Sequence, residues 1–142
     1  MALASGMKDF FGVNYNSKHE LRKRLNLLGM AEAHIVWKTR LWHHIQGNVC
    51  EPLDASLLGQ AGVCQLANLI NGKELEHLHS APEFEQLSDA HRQFHHFGAL
   101  IIEHLKEGNP DSASAIFECE YSASLRNIIQ SLIWLNRHFQ KD

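Results

Sequence analysis

Residues 80–108 read SAPEFEQLSDAHRQFHHFGALIIEHLKEG, and this stretch decides the fold. Ser80-Ala81-Pro82-Glu83 has the form of a capping box, with Pro82 tolerated in a first helical turn, and Gly108 offers the stop. Between them Phe84, Leu87, His91, Phe94, His95, Ile101, Ile102 and Leu105 recur at the three- and four-residue steps of one helix face. A helix with a single apolar stripe of this length needs a partner of the same kind.

The flanking sequence supplies such partners. Ser17-Lys18-His19-Glu20 reads as another capping box, opening a long helix that runs to Gly47 with Leu21, Leu25, Leu28, Trp37, Leu41 and Ile45 on its buried stripe. Asn109-Pro110 opens the last helix, where Tyr121, Leu125, Ile128, Leu132, Leu135 and Phe139 follow helical spacing. Cys64 to Asn71 predicts a short helix stopped by Gly72. Residues 48–62, with Pro52, Gly59 and Gly62, predict a connection holding a helical turn after Asp54. No segment alternates cleanly enough for a strand. The expected fold is all-α, an antiparallel four-helix-bundle-like domain with short extra helices. Residues 1–16 are expected as an N-terminal extension and 17–142 as the bundle, with Phe10-Phe11 packing on it or on a second copy.

Composition narrows the function. A chain of 142 residues is one domain in size, and its formal charge of −3 supplies no field for nucleic acid or anionic lipid. The basic run Lys18 to Arg24 reads as a solvated helix face. Nothing approaches the roughly 20 apolar residues of a membrane span, and the start lacks the basic lead and apolar core of a signal peptide, so the cytoplasm is expected. Cys50, Cys64 and Cys119 are an odd number without framework spacing, which favours free thiols or metal ligands over disulfides. Cys50 and Cys119 are expected as small buried residues, Cys119 in the core of the last helix.

His91 and His95 stand four residues apart, which places both imidazoles on one helix face. By themselves they fit either half of a metal site or a hydrogen-bonded polar pair inside the bundle. Cys64 opens the short helix after a glycine-containing loop, where the helix dipole favours a thiolate. His34 lies between Ala31 and Trp37, off any obviously solvent-facing row. His43, His44, His77, His79 and His96 are expected to face solvent or at most to lie behind the ligands. Trp37, Trp42 and Trp134 are expected to serve packing.

In order and spacing these residues resemble the chemoreceptor zinc-binding (CZB) domain family. That family has a histidine on its first long helix, matched by His34 in Ala33-His34-Ile35-Val36-Trp37-Lys38. It next has a cysteine in an apolar-Cys-x-apolar-Gly-x-apolar motif, matched by Val63-Cys64-Gln65-Leu66-Ala67-Asn68-Leu69. His-x-x-x-His follows, matched by His91 and His95 after Pro82-Glu83-Phe84-Glu85-Gln86-Leu87. The resemblance covers about residues 27–138. Ala67 stands where the family usually has glycine and Leu69 where tryptophan is frequent; neither change removes a ligand.

The resemblance implies one Zn²⁺ held by His34, Cys64, His91 and His95. Three imidazoles and a thiolate make an acceptable tetrahedral shell, and four protein ligands leave no position for an activated water. A non-catalytic regulatory or sensory domain of bacterial signalling or chemotaxis is therefore expected, with no enzyme activity. Zinc or an oxidant acting on Cys64 would be the stimulus. Family members are cytoplasmic modules of chemoreceptors and diguanylate cyclases, commonly dimers. A homodimer is thus expected, together with a signalling partner from such a pathway, because the chain carries neither output domain. Two alternatives stand beside this reading. One is a hemerythrin-like di-iron, oxygen-binding bundle, although no Glu-x-x-His pair occurs among the candidate ligands. The other is a metal-free helical adaptor.

Overall fold

The structure, a computed structural model, describes residues 8–48 and 64–140, with side chains described at 27–48, 64–73 and 75–138. Its helices are α1 (Lys8–Ile45), α2 (Gln65–Asn71), α3 (Pro82–Lys106), α4 (Pro110–Ile116) and α5 (Ser122–Gln140). A 3₁₀ segment, Lys73–Leu78, follows α2, and a π-helical turn, Phe117–Tyr121, joins α4 to α5 in one rod. Among the described residues there is no strand, and the fold is the all-α bundle-like arrangement expected. Nor is any helix among them long and apolar enough to cross a membrane.

Glycine ends both long helices by the same device. Gly47 after α1 and Gly108 after α3 have φ of +84° and +76°, a region closed to most side chains but open to glycine. The Gly47 and Asn48 amides donate to the His44 and His43 carbonyls, and the Gly108 and Asn109 amides donate to those of Leu105 and His104. Each is a Schellman cap that satisfies the last carbonyls of its helix. The sharp reversal at residues 107–109 lays the α4–α5 rod back along α3, which it meets more extensively than any other element. Helix α1 packs along α5 and α3. The core between these rods is filled by Leu41, Leu66, Leu87, Phe94, Ile101, Tyr121, Ile128 and Leu135.

The π turn lies within a run of buried residues. Ala113, Phe117, Tyr121 and Leu125 are all buried, at successive steps of four. An α-helix advances about 100° per residue, so three such steps would carry the stripe about 120° around the rod. A wider turn takes up that drift and keeps all four side chains inward. The Ser122 backbone N–H reaches the Phe117 carbonyl, and its hydroxyl donates to the same oxygen at 2.6 Å.

Several elements differ from the expected ones. Helix α1 begins at Lys8 and runs straight through Ser17-Lys18-His19-Glu20, so this motif caps nothing. Residues 8–16 hold no proline to end a helix, and one internal glycine costs only about 1 kcal/mol. At α3 the N-cap is Ala81 instead of Ser80, and it makes no side-chain cap bond. Pro82 holds its predecessor extended (ψ 135°), so the helix must begin one residue later than the motif suggests. Leu28 is 59% exposed, whereas Leu27 is buried and forms a seven-residue series with His34 and Leu41. Cys119 is exposed, because the π turn directs Phe117 and Tyr121 inward and leaves it outside. Trp42 is also exposed, although its ring lies against Phe117. The connection at 49–62, with Cys50 and the turn after Asp54, lies outside the described residues, as do the side chains of Phe10, Phe11, Leu21, Leu25 and Phe139.

Candidate metal centre

Three helices converge on one buried cluster. His34 comes from α1, on the face it shares with Leu27 and Leu41, since seven residues are close to two helical turns. His91 and His95 lie one turn apart on the core face of α3, with Phe94 between them. Cys64 is the N-cap of α2, in extended conformation (ψ 144°). Its sulfur makes no capping bond and turns toward His34 instead. Buried Leu66, Ala67 and Ile70 anchor α2 to the bundle and so fix where the thiol sits.

The donor atoms of His34, Cys64, His91 and His95 all lie within 4.8 Å of one another. Cys64 Sγ is 3.6 Å from His34 Nε2, and the Nε2 atoms of His91 and His95 are 3.1 Å apart. His34 Nδ1–H donates to the Met30 carbonyl at 2.6 Å, one turn earlier on α1. That bond places the proton on Nδ1 and leaves Nε2 as a lone pair facing the cluster, the arrangement that orients a ligating histidine. The imidazoles are 2%, 2% and 6% exposed for His34, His91 and His95, while Cys64 is half-buried.

Burial sets the charge state. It holds His91 well below the ordinary imidazole range, at about 3, with the neighbouring His95 and His34 adding to the effect. His34 is pushed in the same direction by burial, opposed by its bond to Met30 and assisted by His95. Both rings are therefore neutral near pH 7, the form that binds metal. Two Nε2 atoms at 3.1 Å need either a shared proton or a cation between their lone pairs.

A tetrahedral shell with bonds of about 2.0–2.3 Å sets its donors about 3.3–3.6 Å apart. The His91–His95 pair at 3.1 Å and the His34–Cys64 pair at 3.6 Å lie close to that range, and no pair is wider than 4.8 Å. Three imidazoles and a thiol form a borderline-soft donor set of the kind that binds metal ions. The four residues could hold a metal ion.

No protein-family model matches the chain, and no curated protein or solved structure does. The site is therefore read from its own chemistry. The other histidines singled out in the sequence stay away from it. His43, His77, His79 and His96 are exposed, and His44 is half-buried beside the α1 cap. His79 lies against the Phe84 ring. Sequence reasoning missed the Met30 carbonyl and the rings behind the ligands. Met30 is four residues before His34, a spacing at which a helical side chain can reach a carbonyl. The second signal was the four-four-four run ending at Leu125, whose drift around the rod a π turn reduces.

Proposed function

We propose that this chain is a non-catalytic zinc-binding regulatory domain, similar to the chemoreceptor zinc-binding family, with one Zn²⁺ held by His34, Cys64, His91 and His95. The observation that carries the reading is the convergence of these four donors inside 4.8 Å from three separate helices. Three imidazoles with one thiolate match zinc's usual ligands, and a shell filled by protein leaves no position for a reacting water. Among the described residues the cluster contains no carboxylate, which counts against the hemerythrin-like di-iron alternative. A bound zinc would draw α1, α2 and α3 together at one point, so occupancy would be felt as a change in helix packing. Output would pass to a partner in a chemoreceptor or diguanylate cyclase pathway, from a homodimer. Leu28, Ile35, Val36 and Trp42 supply exposed apolar surface along α1 for such pairing.

The test is elemental analysis of the purified protein with thermal melts before and after zinc addition. About one zinc per chain is expected, with a higher melting temperature when bound, and His95→Ala should lose both. A wild type that purifies without zinc and gains no stability from it overturns the proposal. Sedimentation of Ile35→Glu against the wild type checks the dimer separately.

A further inference from the structure

Behind the ligand cluster stands a column of rings that its four donors do not explain. Phe94, fully buried, lies edge-on to His34 with ring centres 5.0 Å apart and edge-on to His95 at 5.7 Å. On another side Phe94 stacks on Tyr121, with centres 4.6 Å apart and planes 22° from parallel. Tyr121 is wholly buried, and among the described residues its hydroxyl has no hydrogen-bond partner. An unpartnered buried hydroxyl is destabilising, so what the packing keeps at this position is the ring stacked on Phe94 and not the hydroxyl. The ring is also delivered by an unusual piece of backbone, because Tyr121 is the last residue of the π-helical turn. Such turns are rare and frequently accompany functional sites.

Resting on the metal reading above, we infer that Tyr121 is a positioning residue for the centre. Its ring backs Phe94, and Phe94 holds the His34 and His95 imidazoles at the angles that point their nitrogens into the cluster. Phe94 cannot do this alone. It shares α3 with His91 and His95, so a shift of its ring toward α4–α5 would open space beside both His34 and His95. The π turn places a flat ring there to block that shift. The hydroxyl has no part in this role, so the plane of the ring is what matters.

The test uses the full chain and Co²⁺, whose visible bands report ligand geometry and whose near-ultraviolet thiolate band reports the Cys64 bond. Tyr121→Phe keeps the stack and should bind Co²⁺ within about twofold of wild type, with an unchanged spectrum and a melting temperature no lower. Tyr121→Met fills similar space without a plane. It should remain helical and melt cooperatively without metal, yet bind Co²⁺ at least tenfold more weakly with weakened or shifted bands. If Tyr121→Met binds and absorbs like wild type, the inference is overturned. It is equally overturned if Tyr121→Phe loses as much as Tyr121→Met, since the hydroxyl would then be the operative group. Should Tyr121→Met not fold, Phe94→Met cuts the same column at its middle, and the same loss with a retained fold is expected. A wild type that binds neither Co²⁺ nor Zn²⁺ defeats the zinc reading itself. Wild-type binding with an indifferent Tyr121 defeats only this inference.

Discussion

The two halves of the candidate site are built differently. His34, His91 and His95 stand on helices of 38 and 25 residues, buried and backed by core side chains. Cys64 stands at the start of a seven-residue helix, half-exposed, with no capping bond to hold its side chain. A helix so short has little stability of its own and depends on docking. The histidine half is thus preorganised, and the cysteine half is only as fixed as the contacts of α2. In such a design the long helices supply affinity and the short one supplies the ligand most easily withdrawn.

The largest effect that could break this contrast comes from the histidine half. His91→Ala removes a donor that has been desolvated in advance, and metal affinity should fall at least about 100-fold, beyond the range usual for residues that only support a ligand. The metal-free variant, relieved of a buried polar ring, should not be much less stable than the metal-free wild type. Competition titration with a chromophoric chelator measures the first claim and urea unfolding the second. A His91→Ala protein that still binds zinc like wild type would mean the imidazoles are core residues.

Cys64→Ser is the matching change in the other half. A neutral hydroxyl replaces a thiolate while three imidazoles remain in place, so affinity should fall by about 10- to 100-fold, less than for His91→Ala. The ranking of the two variants is the informative quantity. If Cys64→Ser costs as much as His91→Ala, the histidine half has no site of its own and the preorganisation argument fails.

Acid should act on the histidine half of the metal-free protein. The folded state holds His91 at about 3, while the unfolded chain titrates it near the ordinary imidazole value of 6.5. Between those limits the unfolded state binds more protons, so stability is full above about pH 6.5 and declines as pH falls toward 3. Each excluded proton contributes a slope of about 1.4 kcal/mol per pH unit. His34, also lowered, adds in the same direction. Urea midpoints across this range should fall with acid in the wild type and fall less in His91→Ala. Equal slopes in the two proteins would show that His91 is not the group responsible.

Much of this arrangement was legible in the residues, for physical reasons that differ by element. The stripe on α3 and the glycine stops were readable because spacing and positive-φ chemistry are local. The choice between Leu27 and Leu28 was not, since adjacent leucines both lie near the stripe and only the partner helix selects one. Cys119 is exposed although free cysteine is usually buried, because it stands two residues from both inward-facing Phe117 and Tyr121. His34, Cys64, His91 and His95 were singled out from a family pattern, and three-dimensional proximity then gave them a geometry that spacing within one helix could supply only for the last two.

The smallest expected effect addresses α2 directly. Ala67 is buried in the middle of α2, where the resembling family usually has glycine. Ala67→Gly loses a buried methyl and adds backbone freedom, a cost of about 1 kcal/mol. Where that cost appears reveals the state of α2 before metal arrives. Leu66, Ala67 and Ile70 bury apolar surface against the bundle, a contact that itself needs no metal. The loss should therefore register in urea unfolding of the metal-free protein, with zinc affinity unchanged within about twofold. If instead unfolding is unaffected and affinity drops by about fivefold, the equivalent of about 1 kcal/mol, then α2 docks only when metal binds. The cysteine half would in that case be assembled by the ion, and the contrast between the two halves would be one of folding order as well as of rigidity.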